Sequence, residues 1–256
     1  MPGKTGEINR MDRRDFIKTA GGLILTIGSG TYAFRILSAT GASVSGADNP
    51  LIGKKWGMVI NLDRCRSDCT ACLDACRAEN NVAYHGDDRW DLHWIRKVKL
   101  EGEIGHTKVE KSVPLLCNHC DNPPCAQVCP VQATYKRDDG IVIVDHHRCI
   151  GCRYCMIACP YNARQFNFKD DEAWPNKDHP KRSHGVAEAC NLCAHRLDVG
   201  KMPACVEACR NSGAGAIMVG DLNDPESEVA RITSTMAVKR IRADLGTEPK
   251  VYYLGL

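Results

Sequence analysis

Hydrophobic and polar positions along this chain rarely keep one rhythm for long. Around Gly102 and Gly105, residues 94–100 and 107–115 alternate β-branched and apolar side chains with charged ones, which predicts two strands closing a hairpin. A second such stretch, 135–144, carries Asp139-Gly140 near its centre, a dipeptide suited to a hairpin turn. Residues 165–168 and 216–219 read as further short strands. Helical segments are expected to be brief and to follow the cysteine loops, as at 70–78. Gly213-Ala214-Gly215 reads as a turn, because it lacks the order of a dinucleotide-binding loop and follows no strand. Such short elements predict a fold organised by something other than a large apolar core.

One small and apolar run stands apart, at residues 19–34. Its sixteen residues fall short of the roughly 20 that span a bilayer, and Gly21, Gly22, Gly28, Ser29 and Gly30 dilute it. Ahead of it stands Arg13-Arg14-Asp15-Phe16-Ile17-Lys18, and after it a polar stretch ending Ser45-Gly46-Ala47. In order and chemistry, residues 1–47 read as a twin-arginine export signal. Cleavage after Ala47 suits the small-residue rule, with Ala39 and Ala42 as rivals, so the mature chain is expected to start near Asp48 and to work in an extracytoplasmic, periplasmic compartment. Signals of this kind serve proteins exported already folded, usually with a cofactor in place.

Charge excludes one class of partner. The first 47 residues hold six basic and three acidic side chains, which is the whole net charge of +3; the other 209 residues balance at 28 of each sign. No basic excess is left to grip a phosphate backbone, so nucleic acid is not an expected partner.

Sixteen of the 256 residues are cysteine, and all sixteen fall into four quartets. The first is Cys65, Cys69, Cys72 and Cys76; the second Cys117, Cys120, Cys125 and Cys129; the third Cys149, Cys152, Cys155 and Cys159; the fourth Cys190, Cys193, Cys205 and Cys209. Each closes with a C-x3-C pair, a fourfold internal repeat. The third, CIGCRYCMIACP, has the C-x2-C-x2-C-x3-C-P spacing of bacterial two-cluster ferredoxins. There, closely spaced thiolates fill three corners of a 4Fe-4S cube, and the fourth cysteine ligates the neighbouring cluster. Structural zinc sites favour two knuckles separated by a longer stretch, which only the fourth quartet approaches. A disulfide framework suits an oxidising compartment but not cofactor loading before export. His119 and His195 lie near cysteines, yet full sets of four thiolates leave them no vacancy, so a Rieske-type site is not expected. No catalytic triad or acid–base pair is visible.

Beyond the quartets, PLLCNHCDNPPCAQVCP, ACNLCAHRL and VGDLNDPESEV resemble the four-cluster ferredoxin-like subunits of respiratory membrane complexes, a group that includes the electron-transfer subunits of polysulfide, tetrathionate and nitrite reductases. With RRDFIK and CTACLDACRAENN, the resemblance is strongest to the iron–sulfur subunits of complexes associated with dissimilatory sulfite reduction. It implies an α+β fold of tandem bacterial-type two-cluster ferredoxin units, with short strands and helices arranged around four 4Fe-4S clusters. Residues 48–116 and 186–256 would form an outer lobe holding quartets one and four, and 117–185 an inner lobe holding quartets two and three. It further implies crossed ligation. One cube takes Cys65, Cys69, Cys72 and Cys209, and its neighbour Cys190, Cys193, Cys205 and Cys76. Of the inner pair, one takes Cys117, Cys120, Cys125 and Cys159, the other Cys149, Cys152, Cys155 and Cys129. The implied function is an electron relay without a catalytic site of its own, between an integral membrane quinone-interacting subunit and a multihaem c-type cytochrome subunit, with membrane association through those partners. A relay serving a molybdopterin oxidoreductase is the alternative. Two departures stand out: quartet one opens with C-x3-C, and Cys209 is followed by Arg210 rather than proline.

Overall fold

A computed structural model describes residues 53–104, 107–170 and 173–256. The expected export signal lies outside the described residues.

Four strands form the principal sheet: β1 (Trp56–Asn61), β8 (Ile217–Asp221), β9 (Val238–Lys239) and β10 (Val251–Leu254), in the order β8-β1-β10-β9. β1 runs parallel to β10, with Met58 opposite Val251, and antiparallel to β8, with Met58 opposite Val219. The apolar residues of β1 are consecutive rather than alternating, because both faces of the strand are covered. Met58 and Ile60 face the main core, whereas Val59 packs with Met218, Val229 and Leu254. Val229 belongs to helix α6 (Glu228–Thr235). A strand covered on both sides gives no period-two signal, and β1, β9 and β10 fall outside the expected strands.

The expected hairpins are present. Strands β2 (Arg96–Ile104) and β3 (Thr107–Leu115) pair antiparallel, with Arg96 opposite Leu115. Strands β4 (Thr134–Lys136) and β5 (Val142–Val144) form the second. Its connection is wider than a two-residue turn: Arg137 N–H donates to the carbonyl of Ile141 at 2.8 Å, and Gly140 turns at φ 82°. The Asp139 side chain is fully buried and held by Arg137. Expected strand 165–168 contracts to β6 (Gln165–Phe166), which pairs with β7 (Ala187–Glu188), so this ladder joins the segments 117–185 and 186–256.

Helix lengths follow from the residue after each quartet. Helices α2 (Pro124–Gln127) and α3 (Tyr154–Ala158) are four and five residues long, and Cys-Pro stands beyond each, at Cys129-Pro130 and Cys159-Pro160. A proline disfavours helical geometry in the residue before it, and Cys159 is accordingly extended at φ −80°, ψ 110°. Cys76 and Cys209 are followed by arginine, and helices α1 (Ala71–Asn80) and α5 (Ala204–Asn211), ten and eight residues long, run on past them. The short α4 (Ala194–Leu197) follows Cys193. α1 packs on α5, and α2 on α3, so the quartets associate first with fourth and second with third.

The core differs from the expectation of a fold organised by clusters rather than apolar packing. Ile60, Leu62, Leu92, Trp94, Val206, Ile217, Val251 and Tyr253 form a continuous buried cluster, in which Cys72, Cys76, Cys117, Cys190, Cys205 and Cys209 are embedded. The sheet supplies an apolar interior although large aromatic rings are few.

Candidate metal centres

The cysteine loops share a backbone device. In quartets two, three and four the residue just before the second cysteine has positive φ: His119 at 44°, Gly151 at 70° and Leu192 at 54°. Left-handed geometry costs a side-chain-bearing residue on the order of 1–2 kcal/mol, so its recurrence at His119 and Leu192 marks loops shaped by what they surround. Three residues past the final cysteine, Gln132 and Asn162 repeat the pattern at 53° and 51°. Quartet one departs. None of Arg66, Ser67 and Asp68 has positive φ, so the extra residue replaces the left-handed kink with a wider loop. Lys97 clasps that loop, its Nζ donating to the carbonyls of Arg66 at 2.6 Å, Ser67 at 3.3 Å and Cys69 at 2.7 Å.

Two cavities lie against cysteines. One, with an empty volume of about 280 Å³, is lined by Cys65, Cys69, Cys72 and Cys209. The other, of about 310 Å³, is lined by Cys117, Cys120, Cys125 and Cys159. In each, three cysteines of one quartet meet the last cysteine of another. Seven of the remaining eight act on one another in two groups, Cys76/190/193/205 and Cys129/149/155. Burial pushes the Cys76 thiol well above its ordinary value, and the sulfurs of Cys190 and Cys193 push it further. Cys205 is likewise raised by burial and then by Cys76 and Cys193. Cys155 is raised by burial despite the nearby Arg164 guanidinium, with Cys149 and Cys129 adding to the shift. Cys152 is exposed.

The sets adjoin one another in a definite order. Cys72 lies close enough to Cys76 and Cys205 to act on both. Cys117 acts on Cys190, and Cys125 on Cys155. The row of neighbouring sulfurs thus runs from Cys65/69/72/209 to Cys76/190/193/205, on to Cys117/120/125/159 and then to Cys129/149/155. The second set is wholly buried, whereas partly open or exposed cysteines occur at both ends.

Donors converge on the sulfurs. Ala216 N–H reaches Cys209 Sγ at 3.2 Å, Leu192 N–H reaches Cys190 Sγ at 3.4 Å and Ala187 N–H reaches Cys149 Sγ at 3.5 Å. Asn80 Nδ2 donates to Cys193 Sγ at 3.5 Å, and Arg164 Nη2 to Cys125 Sγ at 3.1 Å. Burial opposes ionisation of Cys129, but amides from Val131 to Thr134 outweigh it and lower this thiol. The two histidines are engaged elsewhere: His119 Nδ1 accepts Val142 N–H at 3.1 Å, and His195 Nε2 meets Glu79 Oε1 at 2.8 Å. Burial first, then the Lys250 charge, pushes His119 down to about 3, leaving it the neutral acceptor this bond requires.

These residues fit iron–sulfur clusters better than single ions. None of the sixteen cysteines is paired in a disulfide. Among the described residues, no three His, Cys, Asp or Glu side chains converge closely enough to hold one metal ion. Burial drives Cys72 and Cys117 up to about 12 and Cys120 to about 11, so groups of ionised sulfurs in this interior require a compensating positive core. Lys97, Arg164, Arg182 and Asn80 were not singled out as site residues by their place in the sequence. Asn80, Arg164 and Arg182 lie within eight residues of a cysteine and Lys97 twenty from one, but basic and amide side chains are ordinarily surface groups, and only folding brings these beside the cysteine loops.

Comparison with known proteins agrees with that chemistry. Residues 109–222 match the 4Fe-4S dicluster domain family. The chain is 40% identical to the Hdr-like menaquinol oxidoreductase iron-sulfur subunit 1 of Archaeoglobus fulgidus, over 96% of this chain and 98% of that protein. It is 42% identical to a subunit of the tetrathionate reductase of Salmonella typhimurium, over 79% and 73% of the two chains. It is also 40% identical to the menaquinone reductase iron-sulfur cluster-binding subunit of Nitratidesulfovibrio vulgaris, over 78% and 88%. The chain belongs to the iron–sulfur subunits of oxidoreductase complexes. It carries four 4Fe-4S clusters and transfers electrons rather than housing a catalytic site. No helix among the described residues is long and apolar enough to cross a membrane.

Proposed function

We propose that this chain is a DsrO-type subunit: the extracytoplasmic iron–sulfur component of a Dsr membrane complex associated with dissimilatory sulfite reduction. It relays electrons between an integral membrane quinone-interacting subunit and a multihaem c-type cytochrome subunit. The observation that carries this reading is the row of neighbouring cysteine sets, whose second set is wholly buried while its end sets hold partly open or exposed cysteines. Such a row has two places for a partner to exchange electrons, and water is kept from the middle. When bound, a 4Fe-4S cluster accepts and returns one electron at a potential set by its surroundings. The chain's own part is to fix spacing, supply hydrogen bonds to sulfur and exclude solvent. Around Cys152, Ile150, Tyr154 and Ile157 are exposed, Ile157 by 84%, an apolar collar suited to lasting contact with another subunit.

In this reading the four sets of the row are the four ligand sets, paired as two tandem ferredoxin-type units. The outer lobe is 48–116 with 186–256, and the inner lobe is 117–185. Residues 1–47 are a twin-arginine signal, and the loaded protein is exported to the periplasm. The similarity to the tetrathionate reductase component supports a second reading, in which the same relay serves a molybdopterin reductase. Purification of the tagged chain from membranes separates the two. A quinone-interacting membrane protein with a multihaem cytochrome is expected to accompany it, whereas a large molybdopterin subunit in their place overturns the first reading in favour of the second. Replacing both Arg13 and Arg14 by lysine is expected to leave the loaded protein in the cytoplasm; unchanged export overturns the signal assignment.

A further inference from the structure

Arg164, in the string CPYNAR that follows the third quartet, is 2% exposed. Its Nη2 donates to Cys125 Sγ at 3.1 Å and its Nη1 to Thr134 Oγ1 at 3.4 Å. Among the described residues it forms no ion pair with a carboxylate; the anionic groups that act on it are Cys125, Cys117 and Cys155. A guanidinium does not give up its proton in a protein, and an unpaired buried charge is costly. The counter-charge must therefore come from sulfur. The other cations beside the row are differently placed. Arg182 faces Cys76 and Cys193 but has the Glu188 carboxylate near it. Lys97 spends its donors on three backbone carbonyls beside an accessible loop.

We propose that Arg164 is a potential-setting residue, whose fixed charge raises the midpoint potential of the cube held by Cys117, Cys120, Cys125 and Cys159, and less strongly that of the neighbour reached through Cys155. An electron arriving there adds one negative charge, and a cation fixed against the sulfur in a dry interior favours the reduced form without water to screen it. The electron is passed on to the next cube, so nothing is consumed. Arg164 thus makes the third station of the row an electron reservoir between the buried second set and the exposed fourth. This rests on the four-cube reading.

The test is a redox titration, followed by electron paramagnetic resonance, of the full loaded chain beside R164Q, R164K and R148Q, with iron content measured first. In R164Q, one of the four midpoints is expected to fall by at least a tenfold change in the one-electron equilibrium, about 59 mV, with a second falling less and two unmoved. R164K keeps the charge and is expected to stay within that tenfold of wild type. R148Q removes a charge that is 64% exposed and next to Cys149, and is expected to shift little because water already screens it. Four unmoved midpoints in R164Q at full iron content overturn the proposal, as does an equal fall in R148Q. If R164Q fails to load, R164K must restore four cubes within the tenfold limit; iron loss there too makes Arg164 a structural clamp and overturns its role in setting potential. A wild-type chain with fewer than four cubes refutes the four-cube reading instead.

Discussion

Asn80 shows how much one side chain does beside sulfur. It is 1% exposed, and its single amide nitrogen reaches Cys193 Sγ at 3.5 Å, Cys76 Sγ at 3.9 Å and the Cys76 carbonyl at 3.2 Å. Replacing it by alanine removes hydrogen bonds from two sulfurs of one set, and such bonds favour the reduced cluster. N80A is expected to lower one midpoint potential and to cost about 1 kcal/mol in thermal unfolding. Crossed ligation can be tested in the same way. C209S is expected to damage the cube of Cys65, Cys69 and Cys72, and C76S that of Cys190, Cys193 and Cys205; each disturbing its own quartet's cube would refute the crossing. One neighbouring carboxylate carries a pH dependence. Burial opposes ionisation of Glu79, but the His195 hydrogen bond and the Arg196 charge outweigh it and hold its carboxyl below the ordinary value. With the folded value depressed, this stabilisation is fully present above the usual carboxylate range and is lost as pH falls through it. The stability gap between wild type and E79Q is thus expected to be widest near neutrality and to shrink below about pH 4.5, where glutamate ordinarily titrates. Calorimetric melts at stepped pH would read that gap, and a gap constant down to pH 3 would contradict it.

Among the elements, the cysteine loops were legible in part. Quartet spacing announced the ligand chemistry, and the two Cys-Pro pairs foretell where α2 and α3 can reach no further. The left-handed residues were not legible, because His119 and Leu192 are side chains that seldom adopt positive φ, and only Gly151 hints at it. Gly151 has a second constraint: a Cβ there would lie 2.5 Å from the carbonyl oxygen of Gly185. G151A is therefore expected to destabilise by at least the 1–2 kcal/mol of left-handed geometry and to lower iron content, and full iron with an unchanged melting temperature would refute this. Strands were readable where one face meets solvent, as in β2 and β3. β1 and β10 were missed for the opposite reason, since Met58, Val59 and Ile60 are all buried and the run has no alternation to detect.

Across the whole molecule, the apolar sheet and the cysteine-rich segments differ in what holds them. Strands of two or three residues and helices of four or five, such as those between 124 and 166, are too short to persist alone. β1, β8 and β10 have their own packing against α6 and the main core. Sixteen irons per chain are expected in the loaded protein. After iron is stripped with a chelator, proteolysis is expected to cut first within 117–185 while the principal sheet persists, and uniform cutting along the chain would show that the sheet also depends on the clusters. The cavity shared by Cys65 and Cys209 has a further consequence, in time rather than space. During synthesis Cys65, Cys69 and Cys72 emerge more than 130 residues ahead of Cys209, which walls the same cavity. Three thiols of the first quartet thus wait for a distant cysteine, and under crossed ligation neither end of the row is completed by loading one quartet at a time. Under that ligation, the cube walled by these cysteines is expected to form only once Cys209 has been synthesised.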